Sequence, residues 1–281
     1  MRVAAVQLQG SADREGNLAR AGDLVSEAAR AGAEVVVLPE LFSVYGDPEV
    51  LRASAEPLGG PLSRWAGELA GRLGIWLVAG SFIEAAGGGG RFNTSVLHSP
   101  TGTVEAVYRK IHRFDVDVPG VTVLESEVVS AGEEVVLASV GGAGSGAVPV
   151  GMAICYDLRF PELFRILALR GALLLVVPSA FAAVTGKAHW EVLVRARAIE
   201  NQAFVIAADQ VGPIGPGFEA HGHSMIVDPW GRVLAEKTGG EGVVLAEIDL
   251  GEQAEIRSRL PSLAHRRPDA YRWPAGESGS R

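Results

Sequence analysis

Short apolar runs that alternate with amphipathic stripes restrict the fold of this chain more than any other feature of its sequence. Residues 2–8 and 34–38 are apolar runs of strand length, and apolar side chains recur at helical spacing over residues 18–29 between them. The same order returns with a helical stripe over residues 61–73 and a strand-like run over residues 75–83. Strands that alternate with helices in this way predict an α/β protein.

Two hairpin-like breaks interrupt this alternation. The first lies at residues 100–102 between two β-like runs, and the second at residues 141–146. Further strands are predicted at residues 148–154, 173–177, 203–208, 224–228 and 243–248, and further helices at residues 161–171 and 188–202. Hairpins mixed with strand–helix units predict a mixed sheet and two sheets packed together. No linker divides the chain, so residues 1–281 are interpreted as one domain with a C-terminal tail from about residue 260.

The composition excludes several classes of function. The chain has 281 residues and a formal net charge of −8, so it has no electrostatic attraction to nucleic acid or to anionic membranes. Its N-terminus lacks the basic and apolar regions of a signal peptide, and its apolar runs fall far short of the roughly 20 residues that span a bilayer. The single cysteine, Cys155, cannot form an intramolecular disulfide and fits a reducing compartment. The sequence therefore predicts a cytoplasmic protein with no nucleic-acid or membrane partner.

Three motifs are rejected because of their context. Residues 142–147 (GAGSGA) satisfy a loose dinucleotide-binding pattern, but a strand rather than a helix follows them, which favours a surface turn. Residues 222–226 (GHSMI) resemble the start of a serine nucleophile elbow but lack its second glycine. Of the six histidines only His221 and His223 are close in sequence, and without a nearby carboxylate or cysteine they predict no metal site.

Cys155 is the first residue whose position indicates chemistry. It follows the apolar run 150–154 and opens a polar segment, which places it at the C-terminal end of a strand and ahead of a helix. Ligands bind at this edge of open α/β sheets, and backbone N–H groups and the helix dipole there favour a thiolate. A lone cysteine is more often a small buried apolar residue, so the position alone leaves both interpretations open.

Glu40 and Lys110 follow strand-like runs in the same manner. Pro39 cannot continue a central strand, so the chain turns there and presents Glu40 at the sheet edge, where a carboxylate is suited to act as a general base. Lys110 ends the β-like run that contains Tyr108. Each residue alone is as readily interpreted as a solvated surface side chain.

Taken together, these residues carry a recognisable signature. The chain resembles the nitrilase superfamily, the carbon–nitrogen hydrolases, in the order and spacing of its three catalytic segments, here at residues 38–42 (LPELF), 108–112 (YRKIH) and 151–162 (GMAICYDLRFPE). It resembles the Nit branch, which contains ω-amidase and deaminated-glutathione amidase, at residues 114–120 (FDVDVPG), 185–190 (TGKAHW), 195–202 (RARAIENQ) and 222–231 (GHSMIVDPWG). The resemblance extends over nearly the whole chain.

This resemblance implies a four-layer αββα sandwich and a homodimer or higher homo-oligomer. It implies an amidase that hydrolyses a non-peptide C–N bond in a small linear amide, with Cys155 as nucleophile, Glu40 as general base and Lys110 as the cation that stabilises the oxyanion. A second glutamate downstream of the lysine completes the set. Glu125 matches it by local sequence, and Glu127 is the alternative, since the segment before Glu125 is one residue shorter than in ω-amidases. The chemistry requires no metal or organic cofactor.

Three further residues are candidates for substrate binding. Arg159, four residues after the cysteine, is suited to hold a substrate carboxylate, and an ion pair with Asp157 or Glu162 is an equal alternative. Phe181 is expected to supply an apolar wall, and the Tyr156 N–H a donor to the oxyanion. These residues fit a dicarboxylic or keto acid that is amidated at one end. N-carbamoyl amino acids and then nitriles rank lower, and a non-catalytic binding member of the fold is the alternative of another class.

Overall fold

Helices and strands alternate along the chain as the apolar pattern predicts. The computed structural model describes residues 1–141 and 146–271. The helices are α1 (Arg14–Arg30), α2 (Pro48–Ala53), α3 (Pro61–Leu73), α4 (Pro161–Leu169), α5 (Ala183–Asn201) and α6 (Leu250–Arg259). The strands are β1 (Arg2–Gln7), β2 (Val35–Val37), β3 (Trp76–Val78), β4 (Phe82–Ala85), β5 (Arg91–His98), β6 (Val104–Arg109), β7 (Asp115–Val118), β8 (Val121–Leu124), β9 (Leu137–Val140), β10 (Val148–Met152), β11 (Leu174–Ser179), β12 (Phe204–Asp209), β13 (Val211–Gly215), β14 (Phe218–His221), β15 (Ser224–Val227), β16 (Val233–Lys237) and β17 (Gly242–Glu247).

Most of these described strands form two large sheets. The first has the order β17-β1-β2-β3-β5-β4, with β6 paired along the opposite edge of β5. The second has the order β16-β15-β12-β11-β10-β9. Strands β1, β2 and β3 are parallel to one another, and so are β10, β11 and β12. Residues that follow these strands therefore lie at the same edge of their sheet, where α/β proteins bind ligands.

Alternate residues of β1 show how the layers are stacked. Val3 and Ala5 belong to the core that the two sheets share, whereas Ala4 and Val6 pack with the apolar faces of α1 and α3. Because successive side chains of a strand point to opposite faces, both faces of this sheet are covered. Helices α4 and α5 cover the outer face of the second sheet, and α5 buries Trp190 completely. The layers follow the order α–β–β–α, and the predicted sandwich is confirmed.

Local sequence sets the ends of the first long helices. The Asp13 side chain caps α1 by accepting the N–H of Gly16. Helix α3 begins at Pro61 and ends before Gly74, which adopts the left-handed conformation with φ of 66°. Among the helices of the described residues, none combines the length and apolar character needed to cross a lipid bilayer.

The single strand predicted over residues 75–83 is wrong, because two strands, β3 and β4, occupy this stretch. The chain turns between them at Gly80, which has φ of 48°. A Cβ atom at this position would lie 2.0 Å from the carbonyl oxygen of Pro39, so the loop that carries Glu40 passes directly against the turn. The apolar pattern runs through the turn because both strands are buried, and this continuity conceals the break.

Other differences from the predicted elements are smaller. The hairpin at residues 100–102 is confirmed, since β5 and β6 pair antiparallel. Strands β9 and β10 also pair antiparallel across the second predicted break, of which residues 142–145 lie outside the described part of the chain. Helix α5 starts at Ala183 rather than at residue 188. Its first turn contains Gly186, which weakens the helical pattern but leaves room for the ring of His221.

Candidate active site

Glu40 lies just past β2 in a turn whose backbone groups are held by hydrogen bonds from neighbouring segments. Gln210 Nε2 donates to the carbonyl oxygen of Glu40 over 2.7 Å, and the N–H of Glu40 donates to the carbonyl oxygen of Ser179 over 3.3 Å. The next residue, Leu41, has φ of 49°, and its N–H donates to Ser81 Oγ over 3.0 Å. These contacts fix the carboxylate where the edges of the two sheets meet.

Lys110 joins two glutamates just after β6. Its Nζ donates to Glu40 Oε1 over 2.8 Å and to Glu125 Oε2 over 2.9 Å. Asn93 Nδ2 donates to Oε1 of the same two glutamates, over 2.8 Å and 2.9 Å respectively. The N–H of Phe114 donates to Glu125 Oε2 over 2.6 Å. The structure therefore brings Glu125, rather than Glu127, against the lysine.

The two carboxylates decide the charge of this lysine. Burial by itself lowers the pKa of Lys110, but the charges of Glu125 and Glu40 outweigh burial and hold that pKa well above its ordinary value. Lys110 is therefore a cation at any physiological pH, enclosed between two acids. Glu127 is exposed and lines the adjoining cavity.

Cys155 occupies a turn with an uncommon backbone conformation shortly after β10. It begins a short 3-10 turn (Cys155–Arg159) and has φ of 44°, in the left-handed region that few residues other than glycine adopt. The residue is 5 % exposed and lines the same cavity as Glu40. Backbone strain of this kind is concentrated at functional sites, where the surrounding structure enforces it.

The protonation of Cys155 differs from the expectation raised by its sequence position. Burial raises the pKa of the thiol well above its ordinary value, and the charge of Glu40 adds to this effect while that of Lys110 opposes it. The electrostatics of the free protein therefore favour a thiol rather than the thiolate expected from the sequence position, because the short 3-10 turn supplies little dipole and the charge of Glu40 opposes that of Lys110. In this state a thiol lies close to the Glu40 carboxylate.

This protonation state predicts how alkylation depends on pH. Iodoacetamide is expected to add one label to the native protein, at Cys155, at a rate that keeps rising above about pH 9, because only the thiolate reacts. An exposed cysteine levels off near its ordinary pKa of about 8.5. Mass spectrometry of samples quenched at successive times over this pH range measures the rate. A plateau at lower pH, or labelling only in urea, would contradict the expectation.

Four charged or nucleophilic side chains meet at the wall of a cavity of about 360 Å³. They are Glu40, Lys110, Glu125 and Cys155. Much of the remaining lining is apolar and comes from the segment after Glu40, from β8 and from the β13–β14 hairpin: Leu41, Tyr45, Leu51, Val121, Val123 and Phe218. A cavity of this size admits a small linear molecule whose reactive group lies at the polar end.

Comparison with known proteins places this arrangement in a family. The family model described as carbon-nitrogen hydrolase matches residues 2–258, which include all four of these side chains. The chain belongs to the carbon–nitrogen hydrolase family. The predicted superfamily is thereby confirmed, and with it the prediction of a hydrolase that acts on carbon–nitrogen bonds other than peptide bonds.

Individual carbon–nitrogen hydrolases are similar to this chain over almost its full length. Deaminated glutathione amidase of Bos taurus is 43% identical over 275 residues, which cover 96% of this chain and 83% of that protein. Omega-amidase NIT2 of Homo sapiens is 41% identical over 271 residues, which cover 96% of each. The crystal structure of Saccharomyces cerevisiae Nit3, a member of branch 10 of the nitrilase superfamily, superimposes with a TM-score of 0.85 at 32% identity and covers 96% of this chain and 97% of that one.

In this carbon–nitrogen hydrolase the three residues predicted to bind substrate lie beside the described cavity lining rather than within it. The ring of Tyr156 packs edge-on against Phe114, with centroids 5.1 Å apart. The Arg159 guanidinium lies 5.8 Å from the centroid of the Tyr156 ring and 5.0 Å from that of the buried Phe181. Its Nη1 is 3.2 Å from His189 Nδ1.

Among the described residues Arg159 forms neither alternative ion pair, with Asp157 or with Glu162, and its polar contact is with His189. Both carboxylate oxygens of Asp157 are already bound, one by Tyr108 and one by His112. The guanidinium is held instead by the faces of two aromatic rings, an arrangement that favours arginine.

Sequence-based prediction missed three residues that hold Glu40. Gln210 follows the apolar strand β12 as Glu40 follows β2, so the pattern that indicated Glu40 extends to it. Asn93 is a buried amide within β5, and a polar residue inside a buried strand is the signal that could have identified it. Ala180 acts through its backbone N–H, which donates to Glu40 Oε2 over 2.9 Å and leaves no trace in the sequence.

His221 and His223, which were rejected as a metal site, lie near a carboxylate that is distant in sequence, that of Glu236. The rings of His221 and His223 stack with centroids 4.5 Å apart, and His223 Nδ1 lies 2.5 Å from Glu236 Oε1. Within residues 1–141 and 146–271, no group of three or more His, Cys, Asp or Glu side chains is arranged to hold a metal ion.

Proposed function

We propose that the protein hydrolyses the ω-amide of a small dicarboxylic or keto acid through a cysteine thioester and releases ammonia. The meeting of Cys155, Glu40, Lys110 and Glu125 at one wall of the cavity carries this proposal. Acyl transfer requires a nucleophile, a proton acceptor and a positive group for the oxyanion, and this set supplies each of them. The names of the relatives, deaminated glutathione amidase and omega-amidase NIT2, support an amide substrate.

The first half of the reaction forms the thioester. Glu40 takes the thiol proton as the sulfur of Cys155 attacks the amide carbon, and the carbonyl electron pair moves onto the oxygen. Lys110 has three N–H donors, of which two are bound by glutamates, so one remains for the oxyanion together with the N–H of Tyr156. When the C–N bond breaks, Glu40 returns the proton to the departing ammonia.

The second half hydrolyses the thioester. Glu40, again a carboxylate, takes a proton from water as the water oxygen attacks the acyl carbon. The C–S bond then breaks, the proton passes to the sulfur, and the carboxylic acid leaves. Glu125 holds Lys110 in place, and Asn93 joins Glu125 to Glu40, so the base and the cation keep their separation through both halves.

Arg159 is the proposed determinant of substrate charge. It is half-buried, and its described polar contact is with His189, which leaves most of its five N–H donors for a ligand. The rings of Tyr156 and Phe181 restrict the guanidinium plane. A planar guanidinium can bind a carboxylate through two parallel hydrogen bonds, which sets both the distance and the orientation of the bound acid.

Arg159→Met is therefore expected to lower kcat/KM for succinamate by a factor that corresponds to about 2–4 kcal/mol of lost transition-state stabilisation. The same change should alter kcat/KM for butyramide little. Arg159→Lys should recover only part of the loss, because an ammonium cannot form the two-pronged contact. Arg195→Met removes an exposed arginine paired with Glu191 and controls for the change in net charge. Equal losses on both amides would assign Arg159 a structural role.

An ammonia-release screen tests the substrate class. It compares ω-amides of dicarboxylic and keto acids with N-carbamoyl amino acids and with nitriles, and Cys155→Ser serves as the blank. The highest kcat/KM is expected for the ω-amides. A higher value for N-carbamoyl acids or nitriles would reassign the substrate, and no turnover in any class would overturn the proposed reaction.

Two features of the whole protein stay predictions. A homodimer or higher homo-oligomer is supported by apolar side chains exposed on the outer helices, among them Leu169 of α4 and Val192 of α5. A cytoplasmic location is supported by the single cysteine, which fits a reducing compartment.

A further inference from the structure

Asp157 is a fully buried carboxylate that the proposed reaction does not use. Its Oδ2 accepts the Tyr108 hydroxyl over 2.6 Å and the N–H of Ile154 over 2.9 Å. Its Oδ1 accepts the N–H of His112 over 3.1 Å and lies 2.7 Å from His112 Nδ1. Burial of a carboxylate is costly, and these four hydrogen bonds offset the cost by fixing the side chain between the segments that supply them.

One side of this network belongs to the segment that carries Lys110. Tyr108 and His112 lie two residues before and two residues after the lysine, and both bind Asp157. Tyr108 belongs to β6 of the first sheet and is completely buried. Burial and the charge of Asp157 raise the pKa of Tyr108 well above its ordinary value, so the phenol remains a donor.

The other side of the network belongs to the turn that carries the nucleophile. Asp157 lies two residues after Cys155, and it binds the N–H of Ile154, the residue immediately before the cysteine. Phe160, at the end of the same turn, stacks on the His112 ring with centroids 3.6 Å apart and planes 5° apart. The turn is attached to β10 of the second sheet, so these contacts cross between the two sheets.

We propose that Asp157 is a positioning residue that couples Lys110 to Cys155 by tying the lysine segment of one sheet to the nucleophile turn of the other. The inference rests on the proposed function, because it is the oxyanion formed on the Cys155 adduct that Lys110 must reach. Displacement of a catalytic group by about 1 Å can cost on the order of 100-fold in rate. Asp157 acts on the chemical step through this distance, without contact with the substrate.

Asp157→Asn tests the coupling. Asparagine keeps the shape of the side chain, but its amide nitrogen cannot accept a hydrogen bond, so one pair of the four donors loses its acceptor whichever way the amide faces. The expected result is a kcat lower by about 10- to 100-fold with KM within about 3-fold of wild type. One iodoacetamide label should still form at Cys155.

Asp228→Asn is the matched control for the loss of a buried carboxylate. Asp228 is 1 % exposed and accepts three hydrogen bonds, one from the N–H of Trp230 and two from Arg232, in the turn between β15 and β16, away from the cavity. This variant is expected to lower Tm and to leave kcat within about 2-fold of wild type, since it breaks hydrogen bonds without moving the site. A comparable fall in kcat in both variants would overturn the proposal.

Tyr108→Phe keeps the inference testable if the asparagine variant fails to fold. It removes one of the four donors and is expected to lower kcat by about 3- to 10-fold. In the double variant Tyr108→Phe/Asp157→Asn, kcat should fall little further than in Asp157→Asn alone, because both changes disrupt the same hydrogen-bond network. The coupling would be contradicted if the fold-losses in kcat of the two single variants multiplied in the double variant, or if only KM changed. Absence of amide turnover in the wild type is a separate outcome and would count against the proposed function instead.

Discussion

Cys155→Ser is expected to reduce ammonia release by at least about 10⁴-fold while the protein remains folded. Oxygen replaces sulfur with little change in volume, but a hydroxyl is a weaker and less ionised nucleophile than a thiol. No second thiol is available, since the chain contains one cysteine. The measurement is the initial rate of ammonia release at saturating ω-amide, with far-UV circular dichroism and thermal unfolding to verify the fold.

Iodoacetamide provides the control for this variant. The wild type should take up one label and lose activity in proportion, whereas Cys155→Ser should take up none. If the serine variant kept most of the wild-type rate, a different nucleophile would have to carry the reaction.

Glu40→Gln is expected to have opposite effects on turnover and on alkylation. Ammonia release should fall by about 10²- to 10⁴-fold, because an amide cannot take the thiol proton. Alkylation of Cys155 at a fixed pH near 8 should become faster. The charge of Glu40 raises the pKa of the thiol, so its removal lowers that pKa and increases the thiolate fraction.

Effects of opposite sign on turnover and on the alkylation rate would distinguish a general base from a glutamate with a purely structural role. A change that only disturbed the fold would alter both rates through unfolding, and the Asp228→Asn control shows how large that contribution is. Slower alkylation by the folded Glu40→Gln variant, or unchanged turnover, would argue for another base, with Glu125 as the first candidate because it contacts the same lysine.

The part of the site that could be predicted is the part attached to strand ends. An apolar run that stops at a polar residue indicates the edge of a parallel sheet, and Glu40 and Cys155 both follow this pattern. The alternation of strands and helices could be predicted because strand and helix periods are local properties of the chain, whereas the four-layer order came from the family resemblance. Lys110 also ends a strand-like run, but that run belongs to an antiparallel hairpin, and the family resemblance was needed to interpret both Lys110 and Glu125.

The remaining features depend on contacts between segments far apart in sequence. Whether Cys155 rests as a thiol depends on burial and on Glu40, which lies 115 positions earlier in the chain. The turn at Gly80 depends on the neighbouring Pro39 carbonyl rather than on residues 75–83 themselves. Asp157 lies within a segment that matched the family, but its partner Tyr108 becomes visible only when the two sheets are packed.

The left-handed backbone of two site residues has a consequence for how this sequence can change. Leu41 and Cys155 have φ of 49° and 44°, and a conformation of this kind costs on the order of 1–3 kcal/mol in a residue with a side chain. Glycine adopts it without that cost. Selection for thermal stability alone would therefore favour glycine at these two positions, one next to the proposed base and one the proposed nucleophile. At these two residues a substitution that raises thermal stability is expected to lower activity. Laboratory evolution for stability must therefore include a screen for turnover, so that active variants are retained.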